Sequence, residues 1–142
     1  MEKLPVPETV PAPPAWFTGG VLMDPLRGPR DGSRVAMSHV HFAPGARTHW
    51  HWHPVGQTLL GTDGVGLVVT RAGEVVTLEP GRTVWIPPRE EHWHGALAGT
   101  LMAHLAIQEA DEDDQTVTWL EPVSDEEFAQ ANAVAATTEH SR

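Results

Sequence analysis

Between positions 45 and 64 the chain places Gly45, His51, His53, Gln57 and Gly64 at the spacing G-x5-H-x-H-x3-Q-x6-G, and Gly81, Pro87 and His92 answer this run downstream. Residues two apart in a strand point to the same face. His51 and His53 therefore aim two imidazoles at one point, Gln57 returns across the hairpin, and His92 closes the set from a strand distant in sequence. Three imidazoles and an amide oxygen are neutral donors that suit Mn(II), Fe(II), Co(II), Ni(II) or Zn(II). Four protein ligands leave two positions of an octahedral ion open, which implies chemistry or ligand capture. With no carboxylate in the set, the full divalent charge acts on whatever binds, strengthening Lewis acidity and lowering the pKa of bound water or alcohol. The same neutrality disfavours a trivalent ion, so the donor set leans towards Lewis-acid chemistry rather than dioxygen chemistry.

The elements that must hold these residues are short. From Trp16 to about Leu120 the chain consists of β-rich runs punctuated by Gly and Pro, at 21–23, 34–42, 58–61, 65–70, 74–78, 83–87, 100–108 and 116–120. Such spacing predicts an antiparallel sandwich or barrel, and the absence of an intervening amphipathic helical pattern disfavours a parallel βαβ sheet. Two half-motifs that each open with Gly and end near His fit two hairpins facing each other across a barrel. One helix is expected, late in the chain. Ser124 and Glu127 form a capping-box pattern before an Ala-rich stretch from about Asp125 to Ala136, with fraying from Thr137. The proline-broken residues 1–15 read as an extended arm, residues 16–122 as the barrel, and residues 123–142 as the C-terminal helix and tail.

Composition limits the partners. In 142 residues, 9 Lys+Arg stand against 19 Asp+Glu, a formal net charge of −10 that repels nucleic-acid backbones and anionic membranes. There is no cysteine, which excludes disulfides and thiolate metal sites. The N-terminus lacks the apolar core of a signal peptide, and no apolar run approaches the ~20 residues of a spanning helix, so a soluble, cytoplasmic protein is expected. The aromatic content and the arm fit a homodimer or larger homo-oligomer, with a small molecule as the other partner.

Parity sketches a pocket around the ion. If His92 points inward, so does His94, and in 100–108 the inward set is Met102, His104, Ala106 and Gln108. In 34–42 the two faces are Val35, Met37, His39, His41 and Ala36, Ser38, Val40, Phe42; the second, small and apolar, is favoured as the pocket wall. An imidazole near the ion but not bound to it, His94 or His104, suits general acid–base work because its intrinsic pKa lies near neutrality. A plain hydrogen-bonded barrel histidine is the rival reading for each. His39 and His41 repeat the H-x-H spacing without a matching third ligand and read as surface or interface residues, and His49 reads as a strand-entrance residue. Trp50, Trp52, Trp85, Trp93 and Trp119 read as core or interface mass, and the acidic run 109–114 as a solvated loop.

The two motifs resemble those of the cupin superfamily, small barrels of two antiparallel sheets. The chain departs from the family pattern in carrying Gln57 where the first motif has Glu. It also has Pro87-Pro88-Arg89 where the second has P-x-G, and Ala96 where that motif ends in Asn. More narrowly, several segments are similar to the bacterial cupin-type hydroxynitrile lyases: Trp16-Phe17-Thr18-Gly19, Asp24-Pro25-Leu26, Pro44-Gly45-Ala46-Arg47-Thr48, His53-Pro54-x-Gly56-Gln57-Thr58-Leu59, His92-Trp93-His94-Gly95 and His104-Leu105-Ala106-Ile107-Gln108-Glu109. That resemblance implies Mn(II) on His51, His53, Gln57 and His92, while the donor chemistry also admits Fe(II), Ni(II) or Zn(II). It further implies His94 and His104 in the active site and Ser38, Val40 and Gln108 shaping the pocket. The implied reaction is reversible cleavage of a cyanohydrin into hydrogen cyanide and an aldehyde or ketone, as with mandelonitrile. Two other readings stay open: a metal-dependent dioxygenase acting on a small enolisable or phenolic compound, and a barrel that binds a small molecule without turnover.

Overall fold

Strand periodicity decides what faces inward, and the computed structural model, which describes residues 1–140, follows it closely. The strands are β1 (Val10–Pro11), β2 (Phe17–Thr18), β3 (Val21–Arg27), β4 (Val35–Phe42), β5 (Arg47–Thr48), β6 (His51–Trp52) and β7 (Gln57–Gly64). They continue with β8 (Gly66–Thr70), β9 (Val75–Leu78), β10 (Thr83–Ile86), β11 (His92–Ala96), β12 (Met102–Glu109) and β13 (Thr118–Trp119), before helix α1 (Asp125–His140). They form two antiparallel sheets. The larger by strand length has six strands in the order β1-β3-β4-β12-β7-β10, and the smaller, of seven shorter strands, runs β13-β6-β11-β5-β2 with β8 and β9 added alongside β11. This is the expected all-β barrel of two antiparallel sheets.

The inner faces meet in a core of Phe17, Val21, Val40, Phe42, Leu59, Leu78, Ile86 and Met102. Alternation produces it: Val40 and Phe42 are buried on β4 while the intervening His41 is only partly covered. The register of β12 on β4, with His104 opposite Val40 and Gln108 opposite Ala36, sends His104, Ala106 and Gln108 into the barrel as parity requires. A second cluster lies on the outside of the smaller sheet, where Trp50, Leu67, Val69 and Trp93 are roofed by Val123, Ala131 and Ala135.

The helix begins as its capping pattern requires. Glu127 N–H donates to Ser124 Oγ and Ser124 N–H donates to Glu127 Oε1, each at 3.0 Å. It does not fray at Thr137 but continues to His140, with the Thr137 and Thr138 hydroxyls donating to the carbonyls of Ala133 and Val134 inside the helix. Within the arm, Val10 and Pro11 pair with Met23 and Leu22, laying this segment along the edge of the larger sheet. Proline is tolerated there because an edge strand need not donate on both sides. Among the described residues no helix is long and apolar enough to cross a membrane.

Candidate metal centre and cavity

The two histidine motifs meet by direct strand pairing. His51 and His92 are register partners across β6 and β11, so the two half-motifs lie side by side in the smaller sheet and do not face each other across the barrel as anticipated. Antiparallel partners place their side chains on one face, and the His51 and His92 ring centroids are 4.3 Å apart. His53, just past the end of β6, lies with its ring 5.0 Å from that of His51 and 5.4 Å from that of His92. Gln57 opens β7 in the other sheet, so the cluster bridges the two sheets.

The hydrogen bonds behind these rings fix their tautomers. Nδ1 of His51 donates to the His49 carbonyl at 2.9 Å, Nδ1 of His53 to Thr116 at 2.7 Å, and Nδ1 of His92 to Glu90 at 2.8 Å. Each neutral ring then carries a lone pair on Nε2. A donor nitrogen from each of the three rings lies within 4.8 Å of the others, and Nε2 of His53 is buried with no hydrogen-bond partner among the described residues. Gln57 Oε1 sits 3.2 Å from His92 Nε2, an approach of two acceptors, while Gln57 Nε2 donates to Gln108 Oε1 at 3.1 Å. Converging lone pairs without a shared proton repel one another, and a cation between them removes that repulsion. The residues present therefore fit a divalent ion, with carbonyl partners of the kind that orient metal-bound imidazoles. Burial works in the same direction: desolvation lowers the pKa of His92 to about 4 and pushes His51 well below its ordinary value, keeping both rings neutral.

Beside this cluster is a second imidazole pair. His104 Nε2 and His94 Nδ1 are 2.9 Å apart, an N–H···N bond that leaves His94 Nε2 and His104 Nδ1 buried without partners among the described residues. Phe42 packs against both rings, and the His94 backbone N–H donates to Thr48 Oγ1 at 3.2 Å. Burial depresses His104 to about 3 and His94 well below the imidazole range. The two groups open onto a cavity of about 350 Å³ lined by His51, His53, Gln57, His94 and His104, with Ser38, Val40, Ala106 and Gln108 along the larger sheet. The structure thus brings together His51, His53, Gln57 and His92 at one point and His94, His104, Ser38, Val40 and Gln108 around the adjoining cavity.

The rim holds residues that sequence reasoning did not assign to the pocket. Trp16 and Trp119 stack with centroids 5.4 Å apart and planes 6° from parallel, and Trp119 lies 4.7 Å from the His51 ring. Met23, Thr116 and Val117 also line the cavity. A parity count over 116–120 would have found Trp119 only with the β13–β6 register in hand, since that strand is two residues long. His49 contributes its carbonyl to His51, and its ring does not line the cavity. Trp50 and Trp93 are core, whereas Trp85 is largely exposed.

Two further details differ from the sequence reading or extend it. A third donor group does stand beside His39 and His41: Asp24, the register partner of His39 on β3, joins them on the outer face of the larger sheet. Cross-strand pairing, invisible in sequence, supplies it. Arg89, standing where the second motif has glycine, adopts φ 68°, and its N–H donates to the His53 carbonyl at 2.9 Å. The turn keeps the left-handed geometry without the residue that favours it.

Comparison with known proteins agrees with this architecture. A family model described as "Cupin domain" matches residues 38–107. The chain is 50% identical over 116 residues to an (R)-mandelonitrile lyase of Granulicella tundricola, covering 82% of this chain and 88% of that protein. It superposes on the crystal structure of a cupin-like protein from Thermotoga maritima with a TM-score of 0.80 at 33% identity, over 92% of this chain and 97% of the other. A polyketide cyclase from Streptomyces resistomycificus shares the fold, with TM-score 0.60, 18% identity, and 80% and 82% coverage.

Proposed function

The chain belongs to the cupin family, and from that premise we propose that it is a metal-dependent hydroxynitrile lyase, cleaving and forming cyanohydrins such as (R)-mandelonitrile. One observation carries the reading: a buried imidazole pair with a nitrogen unpartnered among the described residues adjoins three convergent imidazole lone pairs in a single, mostly apolar-walled cavity. The relative bearing the name (R)-mandelonitrile lyase supports the substrate class. His51, His53, Gln57 and His92 would hold the ion, Mn(II) in this proposal. When bound, it supplies Lewis acidity towards an oxygen or nitrogen lone pair, undiminished by any ligand carboxylate.

The remaining work belongs to the chain. Val40, Ala106 and Met23 offer an apolar wall, and the Trp16–Trp119 stack an aromatic rim, for the substituent of an aromatic cyanohydrin. In the tautomer where His94 Nδ1–H donates to His104 Nε2, His94 Nε2 keeps a lone pair. That nitrogen takes the cyanohydrin hydroxyl proton. The O–H electrons become the second carbonyl bond, the C–CN bond breaks with its electron pair on cyanide, and the imidazolium returns the proton to give hydrogen cyanide. His104 holds the base in orientation and shares the positive charge while it lasts. Desolvation makes the imidazolium short-lived, which favours prompt return of the proton.

The test is mandelonitrile cleavage followed as benzaldehyde release, for the parent protein and for His94→Ala and His104→Ala. We expect turnover in the parent and a loss of about 10²-fold or more in both variants, the usual contribution of a positioned acid–base group. Full activity in both variants would remove the imidazole pair from the reaction, and substrate-dependent oxygen uptake without cleavage would replace lyase chemistry with oxygenation.

A further inference from the structure

The outer face of the larger sheet carries a second set of donors unconnected with the cavity. β4 alternation sends Ser38 and Val40 inward, so His39 and His41 face out together, their ring centroids 4.3 Å apart. Pairing of β3 on β4 sets Asp24 opposite His39, and Asp24 Oδ2 lies 3.0 Å from His41 Nε2. The Thr9 hydroxyl donates to Asp24 Oδ1, which turns the other carboxylate oxygen towards the histidines. Across β12, the register of β7 slips between Ala103 and His104, pairing them with Asp63 and Gly61 and leaving Thr62 as the extra residue. That bulge brings the Thr62 hydroxyl to 2.8 Å from His39 Nε2.

We propose that Asp24, His39 and His41 form a second, outer divalent-metal site, selective for borderline ions such as Zn(II), Ni(II) or Cu(II). One donor atom from each residue lies within 4.8 Å of the others, the same convergence the inner three histidines show. Ligands about 2.0–2.2 Å from one ion lie roughly 3.0–3.5 Å apart, which the Asp24–His41 pair already satisfies. A small rotation of His39 away from Thr62 completes the approach. Two imidazoles and one carboxylate are a borderline nitrogen–oxygen set, unlike the all-neutral inner set, and the carboxylate favours a dication without help from substrate. Asp24 is braced like a metal-bound carboxylate whose second oxygen is hydrogen-bonded. Because the brace is Thr9, an ion here would also tie the N-terminal arm to the sheet. His39 is held below its ordinary pKa chiefly by burial, which leaves it neutral and ready to coordinate near neutral pH.

Zn(II) alone is the ion to use, titrated into chelator-treated protein by calorimetry, with bound zinc counted after dialysis. The parent chain should bind two ions, the His39→Ala/His41→Ala variant one, and His51→Ala, which disables the inner set, one. A parent that binds a single ion retained by the His39→Ala/His41→Ala variant overturns the proposal, as does a variant that still binds two. Asp24→Asn preserves shape and gives an independent reading should the double variant fold poorly: outer-site affinity should fall at least tenfold, and unchanged affinity refutes the assignment.

Discussion

Removing the proton site at His104 should flatten the acid lability of the metal-free protein by a calculable amount. An imidazole in the unfolded chain takes up a proton near its ordinary value of 6.5, whereas His104, fully enclosed between the sheets, does so only near about 3, and His92 near about 4. Between the two limits the unfolded chain binds more protons than the folded one, so stability is complete above 6.5 and falls as pH drops through that window. Carried to its lower limit, the shift corresponds to about 5 kcal/mol for His104 and about 3 kcal/mol for His92, comparable with the whole ~5–15 kcal/mol of an ordinary domain. At pH 5 the unfolded His104 is almost fully protonated and the folded one almost not at all. It therefore contributes close to one proton, or about 1.4 kcal/mol per pH unit, to the slope of unfolding free energy. Urea unfolding of chelator-treated protein at intervals from pH 7.5 to 4.5 gives that slope, and His104→Gln should lower it by about this amount whatever its absolute stability. A parent whose stability is flat across the window, or a variant with the parent slope, would refute the claim that these rings are buried as neutral bases.

Other substitutions test the site and its supports. Gln57→Glu should retain one ion per chain, because the oxygen donor is kept, yet lower kcat/KM for cyanohydrin cleavage at least tenfold, about 1.4 kcal/mol, as the carboxylate offsets the ion's charge; an unchanged rate with full metal would contradict the neutral-shell argument. Arg89→Gly should raise stability by about 1 kcal/mol, a few degrees in Tm, by relieving the left-handed conformation at this turn, with metal content unaltered. Gly95→Ala should destabilise by about 2 kcal/mol or more, since a Cβ there would lie 2.5 Å from the Ala46 carbonyl oxygen and 2.6 Å from Arg47 Cβ, with no flexible end to yield; calorimetric Tm values decide both.

The parts of the molecule that could be read from sequence are those whose physics is local. Seven of the eight runs, bounded by turn residues, return as β3, β4, β7, β8, β9, β10 and β12, while 116–120 contracts to the two residues of β13 and β11 was not among the runs. The Ser124–Glu127 reciprocal cap is equally local and equally legible. The convergence of His51 and His53 was legible because the H-x-H spacing and strand parity are intrinsic to one segment. What could not be read depends on pairing between segments. β1, β2 and β5 are two residues each, too short for a period. The side-by-side meeting of His51 and His92, the arrival of Asp24 beside His39 and His41, and the turn of Trp119 into the cavity all follow from register, which no single run encodes. Thr62 reaches His39 only because of a bulge.

The central claim is that a divalent ion held by the inner histidines supports cyanohydrin cleavage. Its most direct test is metal content by mass spectrometry together with mandelonitrile cleavage on the same untagged preparation, before chelation, after it, and after readdition of Mn(II). The account predicts manganese in the inner site at about one per chain, absent from His51→Ala, with cleavage lost on chelation and restored by Mn(II). Cleavage that survives complete metal removal, or a fully loaded protein with none, would contradict it.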